Sequence, residues 1–340
     1  MHIHYITNTR GGLKVGERNQ ALGVVDALRA THEDAIILEH DVSETVRLNE
    51  ILHKFDKEQH IIIGVSDSGV KAFSALSASK RYIAVLIGHE VPEYQELVAD
   101  KISILAIPSY VGDCPAELKG IKIVRTDGVA HTMTVEKARR AYHDWKGRFP
   151  IAGNQPVVVA MLGGTVDGHD LQPAEAERMA EYIAYKAKKM DAYVLASNSP
   201  RSTPHDTESF TRTLSDSGCD NVFFPFTVKN QNNETPYRAM VGLAARSPEN
   251  RVIITGDSVS MPCEIARVVP PEQIAIYPVS NLNRQNKEFI EWMHDSGRAG
   301  RVDTGNFTED YMPYPALPPM DAAGQIAREI GNSLYFPDFS

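Results

Sequence analysis

Short β-branched runs alternate with longer helix-patterned segments over most of the chain, and this rhythm restricts the fold more than any other feature. In the first half the runs are HIHYIT, AIILEH, HIIIGV, YIAVLIG and SILAIP, separated by segments such as ERNQALGVVDALRA and SGVKAFSALSASK. Such alternation is the mark of βαβ units wound into a parallel sheet. Near residue 150 it breaks at FPIAGNQP, a Pro/Gly/Asn linker, and restarts with VVVAMLGG, AYVLAS, NVFFPF, RVIITGDS and QIAIYPVS. The helix PAEAERMAEYIAYKAKKM opens with Pro173 and an acidic first turn and closes on lysines, as the helix dipole favours.

The reading is therefore α/β: two doubly wound Rossmann-like domains facing a cleft, over residues 1–150 and 151–302. Residues 303–340 follow as an irregular segment, DTGNFTEDYMPYPALPPM, and an amphipathic helix, DAAGQIAREIGNSL, that packs back on the first domain. A length of 340 residues suits two domains, and a hydrophobic content of 42% supports a core in each. With 44 acidic against 35 basic residues the net charge is −9, which argues against the basic face of a nucleic-acid binder.

No apolar stretch approaches the roughly 20 residues of a membrane span. The opening MHIHYITNTRGG lacks the basic and apolar regions of a secretory signal. Cys114, Cys219 and Cys263 are too widely spaced to define a disulfide framework or a zinc site. A cytoplasmic location is expected, with peripheral membrane association left open.

In doubly wound sheets, ligands sit beyond the carboxyl ends of the strands, so chemistry is sought in those loops. The most informative loop runs from Arg251 to Glu264, RVIITGDSVSMPCE. Gly256 permits a tight turn, Asp257, Ser258 or Ser260 can cap the following helix, and free backbone N–H groups there suit a phosphate. Glu264, about a turn into that helix, can accept two hydrogen bonds from a ribose diol. A plain N-cap with a helix-stabilising Glu is the alternative. Gly163-Gly164 follows the first strand of the second half, where adjacent glycines allow backbone to approach a phosphate. The loop Ala196-Ser197-Asn198-Ser199-Pro200-Arg201 brings a guanidinium suited to a diphosphate. Beyond a further strand, Gln285 and Asn286 offer paired donors and acceptors for sugar hydroxyls.

In the first half, GGLKVGE departs from the GxGxxG dinucleotide fingerprint, which disfavours an NAD site. Gly16-Glu17 would place a carboxylate toward the cleft, where it can take a proton from an acceptor hydroxyl; a first-turn helix stabiliser is the alternative. Asp67, His89 and Asp127 stand at other strand ends as candidates to line the acceptor side. No Asp-x-Asp pair is present to hold a divalent ion, and neither a metal nor a cofactor is assigned.

Taken together, GGLKVGERNQALGVVDAL, RTDGVAHTMT, VAMLGGTVDGHDL, ASNSPRSTP and VIITGDSVSMPCEIA resemble the mitochondrial-fission-factor-like proteins, the plant "elongated mitochondria" proteins and their bacterial relatives. That family in turn resembles GT-B glycosyltransferases, above all the enzyme that adds N-acetylglucosamine to lipid I. Gly16-Glu17 falls where that enzyme has Gly-His facing its acceptor, and Gly163-Gly164 falls on its second glycine-rich loop. Glu264 matches a ribose-binding glutamate, and Arg284-Gln285-Asn286 falls on Arg-Gln-Gln, whose glutamines contact the donor sugar.

The resemblance implies a metal-independent transfer from a nucleotide-diphosphate sugar to a glycan or lipid-linked acceptor; Glu17, where that enzyme has histidine, is the candidate base. Two other functions fit the same loops: a nucleotide-sugar 2-epimerase, and a non-catalytic nucleotide-binding scaffold.

Overall fold

The computed structural model describes residues 1–8, 15–55, 57–77, 82–88, 100–112, 118, 120–226, 236–311 and 317–335. The chain forms two compact units, Met1–Thr132 with Met320–Ser340, and Met133–Pro319.

The first unit is built on strands β1 (His2–Thr7), β2 (Ile36–Asp41), β3 (His60–Val65), β4 (Tyr82–Ile87), β5 (Ile104–Pro108) and β6 (Lys122–Thr126). Their order is β2-β1-β3-β4-β5-β6, and every pairing is parallel. Helices α1 (Val15–Arg29), α2 (Thr45–Lys54) and α3 (Ser66–Ala75) fill the crossovers. Successive side chains point to opposite faces, so each strand feeds two cores. Ile3, Tyr5, Ile61 and Ile63 meet α1 on one face, whereas Ile6, Ile62, Ala84 and Leu86 pack with Val70 and Phe73 of α3 on the other. The last helix, Ala322–Tyr335, lies against α1 and β6.

The second unit opens with α4 (Val135–Trp145) and continues through β7 (Val157–Leu162), α5 (Pro173–Met190), β8 (Tyr193–Asn198), α6 (Pro204–Asp216) and β9 (Asn221–Phe224). Then come α7 (Tyr237–Ala244), β10 (Arg251–Thr255), α8 (Ser260–Ala266), β11 (Ile274–Tyr277), α9 (Arg284–Asp295), β12 (Gly300–Asp303) and β13 (Thr308–Asp310). The sheet order is β13-β12-β11-β10-β7-β8-β9, parallel except for the edge strand β13. Helix α5 carries Pro at its start, a Gln172/Glu175 capping box, and ends at Asp191 in the left-handed region (φ 52°). Among the described residues no helix is long and apolar enough to cross a membrane.

Strand order decides where a site can form. In the second unit the winding runs outward from β7 in one direction through β8 and β9, then in the other through β10, β11 and β12. The reversal lies between β7 and β10, and the loops leaving their carboxyl ends part there. In the first unit the reversal lies between β1 and β3.

Candidate functional site

The loops after β7, β8 and β10 are drawn together by one buried carboxylate. Asp257 is 3% exposed and accepts hydrogen bonds from Thr255 Oγ1 (2.5 Å), the Gly164 backbone N–H (3.1 Å) and Arg201 Nη2 (2.8 Å). Arg201 Nη2 also reaches the Asp257 carbonyl at 3.0 Å. A buried carboxylate needs such partners, since desolvation otherwise makes it costly. From the loop after β11, Asn281 Nδ2 donates to the Gly164 carbonyl at 2.9 Å. Gly163, Gly164, Arg201, Gly256 and Asp257 therefore belong to one constellation at the reversal of the sheet.

The glycines serve close approach. A Cβ on Gly163 would lie 1.7 Å from Asp257 Oδ1, and one on Gly164 would lie 2.1 Å from the Arg201 carbonyl carbon. Gly256 sits in the turn after β10, as its sequence reading expects, with a φ outside the left-handed region; a Cβ there would meet Ile290 Cδ1, the movable end of a side chain on α9, at 2.1 Å.

The serines divide into two kinds. Ser197 Oγ donates to the Phe224 carbonyl at 2.7 Å and ties β8 to β9, while Ser199 Oγ accepts from the Arg201 N–H at 3.1 Å and stiffens its own loop. Ser258 Oγ accepts from the Met261 N–H at 3.3 Å at the entry to α8. Ser260 begins that helix and is half-buried. At α9, Asn283 rather than Gln285 or Asn286 is the cap, its Oδ1 accepting from the Asn286 N–H at 2.8 Å. Asn286 is 6% exposed, and Gln285 is half-buried beside it.

Glu264 faces Tyr237, the first residue of α7. As whole residues both retain some accessible surface, yet their polar heads are desolvated. Burial pushes the Glu264 carboxyl up to about 7, against the opposing effects of the Tyr237 hydroxyl and the Arg238 charge. Burial first, and then the charge of Glu264, hold the Tyr237 phenol well above its usual value. The Tyr237 hydroxyl is near this carboxyl but has no well-formed hydrogen bond among the described residues. Tyr237 was not singled out from sequence, because only the fold of α7 beside β10 brings it to Glu264.

In the first unit, Ser68 Oγ donates to Glu17 Oε2 at 3.0 Å, joining the start of α1 to the start of α3 at the reversal of that sheet. Gly16 and Asp67 are exposed next to these two residues. Ser66, at the turn out of β3, has φ 47°, an uncommon conformation for a residue with a side chain. Asp127 lies apart, after the edge strand β6, with its N–H bonded to Gln325 Oε1 at 2.8 Å. His89 falls outside the described residues.

A pocket of about 280 Å³ opens between Ala266–Glu272, Gly297–Ala299 and Leu317–Pro319, before β11 and β12 begin. It is at the opposite end of the sheet from the loop constellation. The ligand site belongs with the loop chemistry rather than with this concavity, because doubly wound sheets bind ligands at the carboxyl ends of their strands.

A family model described as mitochondrial fission ELM1 matches residues 15–334. No curated protein matches the sequence. Among solved structures, the UDP-GlcNAc 2-epimerase from Methanocaldococcus jannaschii has a TM-score of 0.60 at 10% identity, covering 98% of this chain and 100% of that one. MurG from Acinetobacter baumannii also aligns, with a TM-score of 0.47 at 10% identity over 98% of this chain and 90% of that one. The first likeness shows the fold: two doubly wound units of the GT-B, Rossmann-like kind found in nucleotide-sugar enzymes.

Proposed function

The chain belongs to the mitochondrial fission ELM1 family, and from that premise we propose that it is a GT-B glycosyltransferase whose second unit binds a nucleotide-diphosphate sugar. The observation that carries this reading is the desolvated carboxyl of Glu264, on the helix that follows Asp257, beside the buried Tyr237 hydroxyl. A ribose diol offers two donors to the carboxylate and an acceptor to the phenol, so one ligand would satisfy both groups.

In this account the diphosphate lies against the Gly163-Gly164 loop and the Ser258–Ser260 turn, the turn contributing backbone N–H groups and hydroxyls. Arg201 neutralises Asp257 and so keeps a buried negative charge from repelling the phosphates. Gln285 and Asn286 meet the sugar. Without an Asp-x-Asp pair, charge building on the leaving diphosphate is stabilised by these fixed dipoles, and the transfer is metal-independent. Glu17 takes the acceptor proton, and Ser68 orients its carboxylate. The acceptor is a glycan or a lipid-linked sugar.

Variants at the two glutamates separate the roles. Glu264→Ala should weaken nucleotide-sugar binding, while Glu17→Ala should bind the donor normally and release nucleotide diphosphate more slowly. Equal loss of donor binding in both would contradict the assignment. Product analysis on donor alone also separates the alternatives: an epimerised sugar would mark an epimerase, and tight binding without turnover in any acceptor extract would mark a scaffold.

A further inference from the structure

Four of the chain's twelve histidines stand together inside the first unit. His2 and His4 share one face of β1, His60 begins β3 in register with His2, and His40 comes from β2. All four are at most 4% exposed. Farther along, the same face is filled by Ile6, Ile62, Ala84 and Leu86, so imidazoles here replace ordinary core side chains.

Their hydrogen bonds fix where each proton sits. His60 Nε2 lies 3.0 Å from the Phe55 carbonyl, which can only accept, so a neutral His60 carries its proton on Nε2 and leaves Nδ1 bare. His4 Nε2 is 3.0 Å from that bare Nδ1 and donates to it. His4 Nδ1 then accepts from His40 Nε2 at 2.9 Å. His2 Nε2 donates to Glu58 Oε2 at 2.9 Å, which leaves His2 Nδ1 as a lone pair, buried and without a hydrogen-bond partner among the described residues. An unpaired buried acceptor is a cost that a native core ordinarily removes.

We infer that His2, His4 and His60 form a binding site for a late first-row divalent cation of the Zn²⁺ class, holding β1, β3 and the turn after α2 together. One ligand nitrogen from each of the three lies within 4.8 Å of the others. The 3.0 Å between His4 Nε2 and His60 Nδ1 is close to the edge of about 3.3 Å that Zn–N bonds of about 2.0–2.1 Å give in a tetrahedron. The all-imidazole set suits zinc. His2 and His60 keep their second N–H groups on a carboxylate and a backbone carbonyl, the outer contacts that orient imidazole ligands.

The ion replaces the proton on His4 Nε2. That ring then carries its proton on Nδ1 and donates to His40 Nε2, whose own proton moves to Nδ1. Every ring stays neutral, and no net proton is released. His2 and His60 begin their strands, at the sheet end away from Glu17 and Ser68, so the role is structural.

The test uses the full chain without a polyhistidine tag, stripped with EDTA and titrated with zinc chloride by calorimetry. Imidazole nitrogen–proton correlations are then recorded before and after. One equivalent should bind and raise Tm, His4 should change from the Nε2–H to the Nδ1–H form, and His2 and His60 should remain Nε2–H. His2→Ala should lose affinity by at least about tenfold, while His53→Ala, on the exposed side of α2, should not. The inference is overturned by an absence of saturable binding, by uptake that leaves the four imidazole signals unmoved, or by full affinity in His2→Ala. The correlation readout needs no variant, so a misfolded His2→Ala would not blunt the test.

Discussion

Replacing Glu264 by Gln keeps the shape of the side chain and removes its ionisation, so it isolates what burying this carboxyl costs. Burial raises it from 4.5 to about 7, while the unfolded chain titrates near 4.5. Between those values the folded protein holds the proton more tightly, so stability is full below pH 4.5 and declines as pH rises through 7. At roughly 1.4 kcal/mol per unit the loss approaches about 3 kcal/mol. Because the residue keeps some solvent contact, about 2 kcal/mol is the figure to expect.

Urea unfolding of both proteins at pH 5, 6, 7 and 8 reads this directly, with m unchanged. The two should be nearly equally stable at pH 5, and Glu264→Gln should gain on the wild type steadily to pH 8. All other titrating groups are common to both and cancel in the difference. Parallel stability profiles would refute the account of Glu264 as a desolvated carboxyl.

Three further perturbations probe the scaffold of the site. Gly164→Ala forces a Cβ onto the Arg201 backbone and should cost about 1–3 kcal/mol with loss of nucleotide binding. Gly16→Ala meets nothing within 4 Å and should be tolerated; equal denaturation midpoints for the two would contradict the packing reading. Asp257→Ala frees the Gly164 N–H and leaves Arg201 only the backbone carbonyl at 257 in place of its carboxylate, so thermal unfolding should drop by several degrees and the three loops should gain amide exchange. Glu309 accepts from the Tyr182 hydroxyl and pairs with Lys186 at 3.1 Å, with a side chain only 7% exposed. Glu309→Ala should cost about 1–3 kcal/mol in urea unfolding, because the buried Tyr182 hydroxyl loses its acceptor and the half-buried Lys186 loses its counter-charge.

The parts of this fold that were legible in the sequence are those where local chemistry and burial agree. Val157–Leu162 and Arg251–Thr255 read as strands because helices cover both of their faces. Helix α5 was bounded by Pro173 at its start and by lysines in its last turn. Strand β6, KIVRT, was missed because it is an edge strand whose Lys122 and Arg125 face out, which masks the apolar signal. Strand β13 falls inside the stretch read as irregular, and the short β12 ends where that stretch begins.

The site was legible loop by loop but not as a whole. Gly163-Gly164 and Asp257 each marked a strand end, yet their bond spans 93 residues and exists because β10 pairs with β7. Arg201 read as a phosphate ligand, whereas its observed partner is Asp257. Tyr237 carried no local signal. The alternating histidines of β1 were visible in sequence, but His40 and His60 join them only through the register of three strands.

The measurement closest to the central claim is a thermal-stability titration of the full chain with UDP-, GDP-, ADP- and CMP-linked sugars. A ligand at a hundred times its dissociation constant adds about 2.7 kcal/mol, enough to move Tm by degrees. One nucleotide class should raise Tm, and Glu264→Ala should abolish the rise. No shift with any of the four at millimolar concentration, in protein that unfolds cooperatively, would contradict that claim.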